Sequence, residues 1–203
     1  MKRIYITAVP LQSNFIVEEK PVNPINFSLD CGISHARFPI VPVIAGSADP
    51  EDDVKVIAIQ QKNHEKNSNR EYLQSELESL HLKNISVNDI EMPEAQDKDV
   101  LLELFRRIIL AAEDDACYYA CMTFGTKTYP VVLFSALSYI NKIKKNVTIK
   151  GIYYGEIRRE RGQFKDAGLY DVSSLFALNE LVDSLAAMDG SHSEEIIMGL
   201  LEE

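Results

Sequence analysis

The run Met122-Thr123-Phe124-Gly125-Thr126-Lys127-Thr128-Tyr129-Pro130 gathers groups that bind anions. Gly125 lets the backbone turn sharply and come close to a ligand. Thr126 and Thr128 carry hydroxyls, and Lys127 carries a full positive charge. Pro130 suits the first turn of a helix, where a missing N–H costs nothing. A helix that starts there points free N–H groups and the positive end of its dipole at the loop, an arrangement suited to phosphate. One glycine is less than a complete phosphate cradle, and an ordinary capped strand-to-helix turn has the same composition.

Such a loop needs a strand before it and a helix after it. Residues 116–122 are apolar and β-prone, a buried strand, and residues 129–142 have helical spacing. Upstream, residues 3–9 read as a strand ending at Pro10, and residues 11–32 as a long loop broken by Pro21 and Pro24. A short helix begins near Pro39, residues 49–53 form a turn, and Val54–Ile59 is a buried strand. Residues 67–80 make a helix, Ile85 and Val87 lie in a short strand, and Asp97 caps an amphipathic helix through Ala112. Residues 147–154 are a further strand, 155–168 a hairpin or flap, and 169–172 a short extended piece. Ser173 or Ser174 caps a last helix to about Met188. The alternation predicts an α/β, Rossmann-like fold: a mostly parallel sheet with helices on both faces. In such sheets ligands sit at the carboxyl ends of strands where the strand order switches, which singles out residues 8–14 and 123–128.

Composition narrows the classes. The chain of 203 residues has a formal net charge of −10, so its general field repels a long nucleic acid. Lys142, Lys144 and Lys145, with Arg158, Arg159 and Arg161, form either a functional basic patch or a solvated helix end and hairpin. Three cysteines, Cys31, Cys117 and Cys121, argue against a disulfide framework, and the histidines are scattered singly. We therefore expect no metal and no cofactor, with the cysteines packed as small hydrophobes. The acidic turn Glu113-Asp114-Asp115 reads as solvated, His35-Ala36-Arg37 as either a phosphate contact or a surface ion pair, and Tyr153-Tyr154 as a strand with one ring in the core. No apolar run spans a bilayer and no signal peptide opens the chain, so a cytoplasmic protein is expected.

The loop resembles the signature of the CARF family, the ligand-sensing domains of type III CRISPR defence. That signature is a strand, a Thr-Gly-Gly-Thr-Lys or Thr-His-Gly-Phe-Arg type loop, and a Pro-started helix. Gly151-Ile152-Tyr153-Tyr154-Gly155, Leu169-Tyr170-Asp171-Val172, Ile6-Thr7-Ala8-Val9-Pro10-Leu11 and Arg37-Phe38-Pro39 are similar to the same group, so the likeness spans about residues 1–187. Phe124 departs from the pattern, standing where many relatives have Gly or His. The resemblance implies binding of a cyclic oligoadenylate, the tetramer favoured, on the two-fold axis of a homodimer, each protomer contacting half of the ring. It assigns Lys127, Thr126 and the N–H groups after Gly125 to phosphates, with Thr123 on the same loop. Thr7, Gln12, Ser13 and Asn14 would reach ribose, phosphate or base edges, and Tyr129 or Phe124 would pack on a base or belong to the core.

Three functions compete. The first is a sensor, residues 1–188, joined at 189–203 by a short acidic helix that is either a free tail or a link to an effector domain or partner. No Arg-x-x-x-x-His ribonuclease motif occurs in that tail. The second is a metal-independent ring nuclease in which the ligand's own 2′-hydroxyl attacks the adjacent phosphate, with Lys127, Thr7 and Ser13 as candidate catalytic residues. It ranks below the sensor because no general base is evident. The third, a nucleotide-cofactor domain, calls for a glycine-rich loop after the first strand, and Thr7-Ala8-Val9-Pro10 has none.

Overall fold

Ile4, Tyr5, Ile6 and Thr7 are β-branched or aromatic residues, and they form the central strand β1 (Lys2–Ala8). The computed structural model describes residues 1–10, 16–61, 68–93, 95–187 and 192–201. After β1 come β2 (Lys20–Pro21), β3 (His35–Ala36), α1 (Ile40–Ser47), β4 (Asp53–Gln61) and α2 (Ser68–Glu78). Then follow β5 (Asn84–Met92), α3 (Lys98–Ala111), β6 (Ala116–Cys121) and α4 (Tyr129–Ile143). The chain ends with β7 (Thr148–Glu160), β8 (Gln163–Asp171), α5 (Ser173–Ala187) and α6 (Ser193–Leu201). The main sheet has the order β5-β4-β1-β6-β7-β8, and every pairing is parallel except β7 with β8. This is the α/β, Rossmann-like architecture that the alternation predicts.

Alternation along β1 divides the core. Ile4, Ile6 and Ala8 face a cluster with Leu104 and Ile108 of α3 and Leu133 and Leu137 of α4. Tyr5 and Val9 face Ile40, Val43 and Ile44 of α1 and Leu73 and Leu77 of α2. With one apolar layer on each side, β1 has no solvent face, as expected of a parallel sheet between helices. The Asp97 carboxylate accepts from the N–H groups of Asp99 and Val100 and so starts α3 as expected.

Several expectations change. The short strand around Ile85 is the nine-residue β5, drawn out by pairing along the whole of β4. The strand, flap and extended piece between residues 147 and 172 are one long hairpin, because β7 and β8 complete each other's hydrogen bonds. The long loop of residues 11–32 holds β2, which pairs with β3, and Pro24 bridges to Leu169 of β8. Neither serine caps α5: the Asp171 carboxylate accepts from Ser173 N–H, while the Ser173 hydroxyl accepts from Ile152 N–H. Residues 188–191, between α5 and α6, lie outside the described residues.

The acidic turn before β6 is not simply solvated. Glu113 pairs with Lys2 at 2.7 Å and Lys55 at 2.7 Å, tying β1 and β4 together at the amino edge of the sheet. The hydrogen bonds from Lys2 and Lys55 hold its carboxyl down at about 2. The basic residues do not make one patch. Lys142 pairs with Asp183 and Lys144 bonds the Ala112 carbonyl near the amino edge, whereas Arg158, Arg159 and Arg161 lie at the far end of β7.

Asp52, 4 % exposed, anchors the same amino edge. Its carboxylate accepts from the Met1 ammonium at 2.6 Å, from Asp49 N–H at 2.9 Å and from Arg3. Arg3 in turn donates to the Tyr119 hydroxyl at 2.9 Å. Burial alone would raise the Asp52 carboxyl, but these hydrogen bonds outweigh it and draw it from 3.8 to about 2. A carboxyl lowered in the folded state stabilises above its unfolded pKa, and that contribution is lost as pH falls through 3.8 toward 2. Asp52→Asn removes the buried counter-charge of Arg3 and Met1, leaving Arg3 only the exposed Asp49 at 3.6 Å, and is expected to cost about 3 kcal/mol at pH 7. Urea titration of both proteins from pH 7 to pH 2 checks this, and the variant should show a flatter acid limb.

Candidate functional site

The strand order puts the switch between β1 and β6: after β1 the chain builds toward β5, then crosses back to lay β6 on the other side of β1. Thr7 pairs with Cys121 at the carboxyl ends of these two strands. The two loops singled out from the sequence therefore leave neighbouring strand ends, as ligand-binding loops of open α/β sheets do. Gln12, Ser13 and Asn14 lie outside the described residues.

Residues 123–128 join β6 to α4. Gly125 has φ +106°, and a Cβ there would meet the Tyr129 ring at 3.0 Å, so both the dihedral and the space call for glycine. Tyr129 lies beneath the loop as a pillar, 2 % exposed, with its hydroxyl turned to the Cys121 carbonyl at 3.4 Å. Its ring offers no open face to a base. Thr7 is likewise buried, at 1 %, its hydroxyl donating to the Ala8 carbonyl at 3.3 Å. Phe124 is half-buried and meets Phe38 edge to face, with ring centroids 5.8 Å apart.

The donors left open differ from those expected. The first N–H groups of α4 are already used: Tyr129 donates to the Thr126 carbonyl, and Val131 and Val132 donate to the Thr128 carbonyl. The Thr126 and Thr128 hydroxyls lie 2.9 Å apart, and Thr128 donates onward to Gln96 at 3.2 Å. What remains is the loop's own backbone. The N–H groups of Gly125, Thr126, Lys127 and Thr128 donate to no described residue, and the exposed Lys127 ammonium has no hydrogen-bond or ion-pair partner among them. Successive amides without a described partner beside one cation are donors of the kind that bind an anion.

Thr123 fixes this loop to the next strand. Its hydroxyl accepts from Gly155 N–H of β7 at 2.7 Å and lies 3.1 Å from the Cys121 thiol. Burial pushes that thiol up, so Cys121 stays protonated and packs as a small core group. Gly155 must be glycine for space: an added Cβ would meet the Pro39 ring at 2.5 Å. A crevice opens here, walled by Phe124, Pro39, Val22, Ile157 and Leu169. The sequence reading did not place Gly155 or the hairpin base at the site. The available signal was a glycine inside a strand pattern, which marks close backbone approach.

Arg37 reaches the same crevice but is committed elsewhere. It donates to the Val17 carbonyl at 2.6 Å and to Glu19 at 3.3 Å, and it lies over the Tyr72 ring. Of its two readings, the ion pair is the one observed. No group of three or more His, Cys, Asp or Glu able to hold a metal occurs among the described residues. No described helix is long and apolar enough to cross a membrane. No protein-family model and no curated protein matches the chain.

The Thr123 clamp is testable by itself. Thr123→Val leaves Gly155 N–H without its acceptor and is expected to destabilise the protein by about 1–3 kcal/mol. Thr123→Ser keeps the acceptor and should stay within about 1 kcal/mol of wild type. Chemical denaturation of the pair decides it; a loss in Thr123→Ser with none in Thr123→Val would mean that the methyl, not the hydroxyl, matters.

Proposed function

We propose that this is a cytoplasmic protein that binds a cyclic oligoadenylate, the tetramer favoured, on the two-fold axis of a homodimer, in type III CRISPR antiviral signalling. The observation that carries the reading is the row of amides from Gly125 to Thr128 beside Lys127, none with a partner among the described residues, in the loop that leaves β6 at the switch between β1 and β6. These groups suit phosphate oxygens. Half-buried Phe124 and the apolar crevice behind it suit a base edge. Gln12, Ser13 and Asn14, which follow β1 in the chain, are assigned to the same ligand by the resemblance. Thr7 and Tyr129 support the loop from within and take no direct part in this reading.

A half-site cannot satisfy a whole ring, so two protomers share one ligand. Light scattering during titration with each cyclic oligoadenylate should give a dimer with one ring per two chains. Lys127→Ala removes a charge-assisted contact worth about 1.5–3 kcal/mol, twice per dimer. Calorimetry should show affinity lower by at least about a hundredfold with an unchanged melting curve. Unchanged affinity would move the site elsewhere.

The loop offers amides, hydroxyls and one ammonium, with neither carboxylate nor imidazole. Such groups bind ground state and transition state about equally, which yields affinity without much acceleration. After long incubation the ring should be recovered intact, or nearly so, by chromatography. Multiple turnovers within minutes to a linear product with a 2′,3′-cyclic phosphate, in chelator, would make the protein a ring nuclease instead.

A further inference from the structure

The last pairing of β7 with β6 is Tyr153 with Cys121, yet β7 runs on to Glu160. At about 3.3 Å per residue, the β7–β8 hairpin projects roughly 20 Å past the carboxyl edge that carries the candidate loop. It turns through Arg161 and Gly162, both at positive φ. Its base is fastened to that loop by the Gly155–Thr123 hydrogen bond, and Glu156 and Ile157 line the shared crevice.

The charges on this arm fall into two kinds. Arg158 is held by Glu156 and by the Tyr170 hydroxyl, and Lys165 pairs with Glu160 at 3.1 Å. Lys20, below the arm, pairs with Glu18 and covers the Phe164 ring. Arg159 and Arg161 are exposed and make no hydrogen bond or ion pair with a described residue. The pairing register slips between Arg158 and Arg159. Such bulges re-aim a side chain and recur beside functional sites. In a chain of net charge −10, two arginines at the end of a long arm, with Glu18 near enough to feel the charge of Arg159 but bonded to Lys20, call for an anionic partner.

We infer that the β7–β8 hairpin is an anion-binding arm whose Arg159 and Arg161 close on the phosphates of the ligand seated at residues 125–128. The inference rests on the functional reading above. A cyclic tetra-adenylate carries one negative charge per nucleotide, so the two Lys127 ammonium groups of a dimer neutralise half of it. The two arms of a dimer bring four more cations to the same edge of the sheet, more than enough for the two charges that remain. Two free cations flanked by Glu156, Glu160 and Asp166 are too few to hold a long nucleic acid against the charge of the whole chain.

The test compares wild type, R159A/R161A, R159K/R161K and K145A/K150A for binding of cyclic tetra-adenylate across a salt series. Lys145 and Lys150 are exposed near the amino edge, so their variant loses the same charge far from the site. R159A/R161A should bind at least about tenfold more weakly at about 50 mM salt, with a slope of log affinity against log salt shallower by about 0.7 per lost contact. R159K/R161K should recover most of that slope, and K145A/K150A should match wild type. If wild type binds no cyclic oligoadenylate, the functional reading fails and this inference with it. If wild type binds and R159A/R161A matches it, the arm alone is wrong. Loss by R159A/R161A of single-stranded RNA binding only, with ring binding intact, also overturns it. An equal loss in K145A/K150A would reduce the effect to net charge.

Discussion

Everything in this molecule depends on burying β1 on both faces and pairing both of its edges. A strand placed so has no water for its backbone, so β4 and β6 must each complete a full ladder beside it. With two helical layers to fill, α1 and α2 cover one face and α3 and α4 the other. The chain can meet both demands only by building outward to β5 and then crossing back to β6. That crossing parts the loops that follow β1 and β6.

The two edges of the sheet are specialised in opposite ways. At the amino edge the charges are paired: Asp52 with Met1 and Arg3, and Glu113 with Lys2 and Lys55. These pairs join strands that are far apart in sequence. At the carboxyl edge the backbone amides after Gly125, Lys127, Arg159 and Arg161 have no hydrogen-bond or ion-pair partner among the described residues. Open donors there add no stability to the free protein. They cost little because they face water, and they become valuable when an anion displaces that water.

The candidate loop keeps its shape through neutral contacts. Tyr129 fills the space that Gly125 leaves, and Thr123 bridges Cys121 and Gly155. Since the first turn of α4 satisfies its own N–H groups, the open donors among the described residues are those of the loop and not those of the helix end. The Thr123–Gly155 hydrogen bond joins the loop to the base of the β7–β8 hairpin, beside the Met122–Tyr153 backbone bond that ends the β6–β7 ladder.

Local patterns determined much of this protein. Buried runs such as Val54–Ile59, the Asp97 cap and the Pro-started helix at residue 130 are decided by neighbours in the chain, and each is where the sequence places it. The α/β class followed from their alternation, and the loop at Gly125 stood out because only glycine suits its turn. Tertiary structure alone decided the partners. Glu113 looked solvated because Lys2 and Lys55, which hold it, belong to other strands. Tyr129 and Thr7 looked available because residue type does not tell which side of a strand end or helix start is covered. The six basic residues looked like one group because proximity in sequence hides the length of β7, which carries the arginines to the opposite edge from the lysines. Gly155 gained its meaning only when Pro39 and Thr123 were brought against it, since close approach of distant backbones leaves only a glycine as its trace in the sequence.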